Sequence, residues 1–88
     1  MEVEIHRSAR KHRVDDAAIT HAYQHALVQL DYDPDRHPPR FALVGPDPAG
    51  NMIELIVIVA DEDRNIVIHA MPARPNFLAL LDQPGGKP

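Results

Sequence analysis

The sequence predicts an α+β domain: an antiparallel β-meander of three main strands, a short N-terminal edge strand, and helices packed on one face. Three observations predict it. Apolar residues recur at helical spacing between Asp15 and Leu30, then give way to near-continuous apolar runs after a proline-rich segment. Those runs, Arg40 to Val44, Met52 to Ala60 and Ile66 to Met71, are separated by hairpin-type turns. The resulting order, β-α-α-β-β-β-α with consecutive strands joined by hairpins, argues for helices packed on one face of the meander.

Each element has its own warrant. Glu2 to His6 alternates charged residues with Val3 and Ile5, which suits a short edge strand. Ser8 to Arg13 lacks proline and glycine and reads as a turn or two of helix. Asp15 or Asp16 then N-caps a longer helix, because a carboxylate oxygen accepts from the orphan amides of the first turn. Ile19, Tyr23, Ala26, Leu27 and Leu30 form its core-facing stripe. Asp33-Pro34-Asp35-Arg36-His37-Pro38-Pro39 cannot continue a helix and predicts an extended loop. Gly45 to Asn51 and Asp61 to Asn65 supply the two turns, with Gly45 and Gly50 as turn glycines. Met52 to Ala60, apolar except for Glu54, predicts a central strand buried on both faces. On the last strand, strict alternation places Val67 and Met71 on the side of His69. Pro75 to Leu81 predicts a closing helix with proline in its first turn. Residues 1–82 form one domain, and residues 83–88 have the composition of a disordered tail.

Eighty-eight residues allow one domain, which buries about 60–65% of the surface its unfolded chain exposes and leaves little room for a deep cavity. The absence of cysteine excludes disulfides, thiolate metal sites and a cysteine nucleophile. No apolar run approaches the roughly 18–20 residues that span a bilayer, and no secretory leader is legible, so a cytoplasmic protein without a membrane association is expected. Charge is segregated. Residues 1–14 carry four basic side chains (Arg7, Arg10, Lys11, Arg13) against Glu2 and Glu4, a net of +2. Residues 15–88 carry five basic against eleven acidic, a net of −6. A basic segment on an acidic chain has the pattern of an anion site, and equally of a solvated helix surface.

Lys11-His12 before the second helix, Arg40-Phe41 opening a strand that ends at Gly45, the hairpin into a long apolar strand and a last strand running to Ala73-Arg74 together resemble the BrnT-like toxins. These are small ribonuclease toxins of type II toxin–antitoxin systems with a fold similar to RelE and ParE. The resemblance spans residues 5–81 in element order and spacing, on short motifs. Where the family typically reads Lys-His-Gly-Val, this chain has Lys11-His12-Arg13-Val14, and where it commonly ends in Ser-Ala-Arg, this chain has Met71-Pro72-Ala73-Arg74. The resemblance implies a RelE/ParE-like fold and a metal-independent endoribonuclease without cofactor. It also implies a cognate antitoxin, of ribbon-helix-helix type, as partner.

Such chemistry needs a proton-transfer group that titrates near neutrality and fixed cations at a phosphate. His12 and His69 are the acid/base candidates, Lys11 offers a point charge, and Arg40 and Arg74 can grip a phosphate through guanidinium forks. These five are the candidate catalytic residues; Arg7, Arg10, Lys11 and Arg13 are the candidate RNA-binding set. Arg40 and Arg74 could instead pair with Asp31, Asp33 or Glu54, His69 could be a hydrogen-bonded histidine at a sheet face, and Lys11 and His12 could be helix-terminal charges. His21 and His25 share a helix face at i and i+4, as two zinc ligands would, but no accompanying carboxylate motif exists, so no metal site is assigned. Asp61-Glu62-Asp63 lacks the interleaved ligands of a calcium loop.

Two further function classes compete with the toxin. One is a non-catalytic protein-binding or regulatory module on the same fold, favoured by the net charge of −4. The other is a homodimeric module associating through the sheet. Binding nucleic acid for its own sake fits poorly with a pI of about 5.8.

Overall fold

The computed structural model describes residues 3–33 and 35–82, so the tail expected at 83–88 lies outside the described residues. Within them the chain is an α+β domain built on one mixed sheet of five strands, in the order β1-β5-β4-β3-β2. β1 (Glu4–Ile5) runs parallel to β5 (Arg64–Pro72) at one edge. β2 (Val28–Asp33), β3 (Arg40–Pro46), β4 (Met52–Ala60) and β5 form an antiparallel meander. A 3-10 helix (Arg7–Arg10) and α1 (Asp16–Gln24) separate β1 from β2; α2 (Pro75–Leu78) and a 3-10 helix (Ala79–Asp82) come after β5. Asp15 caps α1, its Oδ1 accepting from Ala18 N–H at 2.8 Å. No helix among the described residues is long and apolar enough to cross a membrane.

The meander has four strands where three were expected. The helix stops at Gln24, so Leu27 and Leu30 leave its stripe, and Val28–Asp33 pairs with β3 from Val28↔Val44 to Asp33↔Arg40. Val28, Leu30 and Tyr32 alternate with Gln29, Asp31 and Asp33, a period of two that overlaps the helical one. Tertiary pairing decides between them. The outer edge of β3 carries backbone groups that need partners, and Leu27 N–H already donates to Val44 O at 2.8 Å.

The helices also lie on both faces of the sheet, not one. α1 and the buried Ala9 cover Leu43, Ile53, Leu55, Val57, Val67 and Ala70. Phe77 of α2 packs on the opposite face with Ala42, Val44 and Ile56. A central strand apolar on both sides demands this, since an uncovered face would leave a row of aliphatic side chains in water.

Two local departures shape the sheet, one on each face. Gly45 is no turn glycine: it lies inside β3 beneath α1, where a Cβ would fall onto the carbonyl oxygen of Ala22 and within 3.0 Å of Ala26 Cα. Its lack of a side chain lets α1 approach the sheet. In β5, Ile56 pairs with His69 and Val57 with Val67, so Ile68 is an extra residue, a β-bulge. The bulge breaks strict alternation. Val67 turns into the α1 core, while Ile68 packs into the α2-face core.

Candidate functional site

The sequence places one charge, Glu54, inside the most apolar strand, and the structure buries it completely, with 0% of its surface exposed. β4 alternation puts it on the α2 face, between the apolar residues that face α1. A buried carboxylate requires partners, and it has two. Arg74, the residue that precedes α2, donates its backbone N–H to Oε1 at 2.9 Å and its Nη2 to Oε2 at 2.6 Å. Its Nε lies 3.1 Å from each oxygen. His69 Nε2 lies 2.8 Å from Oε2. Burial pushes the Glu54 carboxyl up, but the hydrogen bonds from the side chain and backbone of Arg74, that from His69, and the charge of Arg74 together outweigh it. The group ends below the ordinary carboxylate range.

Above this carboxylate lies a cavity of about 150 Å³ lined by Tyr32, Arg40, Ile56, Ile68, His69 and Arg74. Its lining comes from four strands and the loop before α2, which is why scattered positions meet there. Arg40 opens β3 opposite Ile58, and Tyr32 lies where the β2–β3 register shifts between Asp31 and Asp33. The β5 bulge brings Ile68 and His69 to the same wall. Arg74 rides over the Phe77 ring, its guanidinium carbon 5.4 Å from the centroid. Arg40 supplies the most telling atom: its Nε is buried without a hydrogen-bond partner among the described residues. Two arginines against one carboxylate leave the cavity net positive.

His12 joins from outside the lining. The 3-10 helix is pinned to the bulge by Ser8, whose hydroxyl donates to Ile68 O at 2.7 Å. Just beyond that helix, the His12 ring meets His69 edge to face, centroids 5.6 Å apart. Four of the five expected catalytic residues, His12, Arg40, His69 and Arg74, are thus brought together. Lys11 is exposed and does not line the cavity. Of the expected RNA-binding set, Arg7, Lys11 and Arg13 are exposed, whereas Arg10 is turned to Asp16 in a two-bond pair at 2.9 Å. Arg13 faces a separate depression beside Asp15 and Asp47.

Sequence reasoning misses two residues of this site: Glu54 as more than a pairing partner, and Tyr32. Glu54 carries a readable signal, since a lone charge amid nine strand residues must be paired. Tyr32 carries none, because it stands between the helical stripe and the proline-rich segment. The wider depression beneath Tyr23, Gln24, Gln29 and Asn65 is lined by amide and apolar groups and gathers no cations. His21 and His25 stack at 4.1 Å, each with Nδ1 against a backbone carbonyl. Among the described residues no three His, Asp or Glu side chains are grouped to hold a metal ion. Searches of protein-family models, curated proteins and solved structures give no match to this chain.

Proposed function

We propose that the α2-face cavity is a phosphodiester site and that the protein is a metal-independent endoribonuclease toxin of a type II toxin–antitoxin system. The observation that carries this reading is the buried, unpartnered Arg40 Nε beside Arg74 and His69. A buried donor without an acceptor costs about 1–3 kcal/mol, and an anion in the cavity would supply that acceptor. Arg74 keeps guanidinium N–H groups beyond those given to Glu54, so both arginines can bond non-bridging oxygens and stabilise the charge that develops on them.

His69 then takes the proton of a ribose 2′-hydroxyl. The freed oxygen bonds to the adjacent phosphorus, the bond from phosphorus to the 5′-oxygen breaks, and His12 in its protonated form returns a proton to that leaving oxygen. The products are a 2′,3′-cyclic phosphate and a 5′-hydroxyl. The element order supports the RelE/ParE-like resemblance, and so does Arg13. At the position where the resembled family carries glycine, Arg13 holds φ at 66°, the left-handed region that glycine favours.

Purified protein is expected to cleave RNA in the presence of a chelator, with cyclic phosphate ends, and to spare a strand that is 2′-deoxy at the cleaved position. Intact RNA in that assay, together with equal growth of cells expressing wild type or Arg40→Ala, would end this reading.

A second reading, a non-catalytic protein-binding module, is favoured by the β2 edge, where Leu27, Leu30 and Tyr32 are 62%, 41% and 57% exposed. Either reading takes a protein partner, a cognate antitoxin of ribbon-helix-helix type in the toxin case. A stable complex on co-expression with an adjacent gene product, without RNA cleavage by the free protein, selects the second.

A further inference from the structure

We propose that His69 works through Nδ1, and that Glu54 is the positioning residue that makes it do so; the catalytic part of this inference rests on the phosphodiester reading above. Glu54 is not itself available to substrate. Oε1 accepts from the backbone N–H and Nε of Arg74, and Oε2 accepts from Nη2 of Arg74 and from His69, so the carboxylate is fully subscribed and fully buried. An ionised carboxylate only accepts, and Arg74 keeps it ionised. The hydrogen in the 2.8 Å contact therefore belongs to His69 Nε2. In the neutral imidazole the lone pair must then reside on Nδ1.

A purely structural account of Glu54 is the weaker one. Replacing a buried ion pair by apolar side chains is often neutral or stabilising, and every other β4 residue in this stretch is apolar. What an apolar residue could not do is fix one tautomer of His69 and at the same time hold Arg74 beside it. The charged and titratable groups facing His69 are Glu54 from β4, Arg74 from the loop before α2, Arg40 from β3, Tyr32 from β2 and His12 from the N-terminal segment. Glu54 holds the Nε2 hydrogen and so leaves Nδ1 as the nitrogen free to take a proton. One carboxylate thus sets which nitrogen is basic and where Arg74 stands beside it.

The test is a tautomer measurement that does not depend on RNA. Nitrogen-15 correlation spectra of histidine-labelled wild type, with His69 assigned by comparison with His69→Asn, are expected to show a protonated Nε2 and a bare Nδ1 above the His69 titration. In Glu54→Gln the signature should shift toward a tautomer mixture. Glu54→Asp, which keeps the charge but shortens the reach, serves as a second variant should Glu54→Gln fold poorly. A wild-type His69 protonated on Nδ1, or one whose nitrogen shifts ignore both variants, overturns the proposal. In the cleavage assay Glu54→Gln should lower kcat on the order of 10²–10⁴-fold with KM little changed. Wild-type rates in that variant also overturn it. Failure of wild type to cut RNA, with the expected tautomer present, removes the ribonuclease reading and leaves the positioning geometry standing.

Discussion

Leu55 and Glu54 are neighbours on β4 and both are fully buried, yet they belong to opposite designs. On the Leu55 side, Ile19, Ala22, Leu43, Val57 and Val67 close around one another, and among the described residues no ionisable group is buried there. On the Glu54 side, fewer buried apolar side chains share the face with a carboxylate, two arginines and two histidines. The difference lies in what each face can tolerate. A chain this small has one dense core to spare, and that core lets the other face keep a buried charge and an unpaired donor.

The sharpest way to break this contrast is to cut into the dense face. Leu55→Ala removes a fully buried side chain at the sheet centre and is expected to cost about 2–5 kcal/mol. Urea unfolding should show a large fall in midpoint, while cleavage per folded molecule stays near wild type. A small stability change would mean that the α1 face is not where the fold is held.

The opposite face should respond in the opposite sense. Arg40→Leu removes the buried orphan Nε, so stability should hold or rise by about 1 kcal/mol. RNA cleavage should fall about 10²–10³-fold, the usual cost of one transition-state donor. Loss of stability and activity together would make Arg40 a structural strut.

Acid separates the faces more gently. The carboxyl of Glu54 sits below its ordinary value of 4.5 in the folded protein, so it binds fewer protons than in the unfolded chain. Its contribution to stability is complete above that ordinary value and disappears as pH falls through the lowered one. Asp16, Glu4 and Asp47 are displaced in the same direction by their own partners, but Asp16 and Glu4 are solvent-exposed and Asp47 is half-buried at a surface turn, so screening leaves them little weight. Glu54→Gln should therefore flatten the acid limb of a stability–pH curve. If wild type and variant lose stability in parallel, Glu54 is not the coupled group.

Much of the dense face was legible in the sequence. An unbroken apolar run states a central strand, and Asp15 states the start of α1, because local chemistry suffices for both. Val28–Asp33 was not legible, since its residues satisfy a helical and a two-fold period equally and only the free edge of β3 decides. The same holds for Val67: a one-residue bulge reverses a side chain's face and leaves no trace in composition. For the site, residue types were readable and partnerships were not. Arg74 and Arg40 look alike in sequence, but Glu54 lies within reach of Arg74 while Arg40 Nε stays unpartnered. That distinction belongs to strand register, not to any motif.

The smallest expected effect concerns the segment that joins the faces. Arg13 holds φ at 66° between the 3-10 helix and α1. A left-handed backbone costs a non-glycine residue about 1–2 kcal/mol, and the greater unfolded-state freedom of glycine returns roughly 0.5–1 kcal/mol of that. Arg13→Gly should therefore gain a few tenths to about 1 kcal/mol, read as a rise in Tm of up to about 4–8 °C. It also deletes one exposed charge from the basic segment without touching the cavity. If that segment docks RNA through its backbone, the slope of log affinity against log salt should shrink by about 0.7–0.9 while kcat stays put. An unchanged slope would assign RNA binding to the cavity arginines alone, and would make the charge of Arg13 a solvated surface feature.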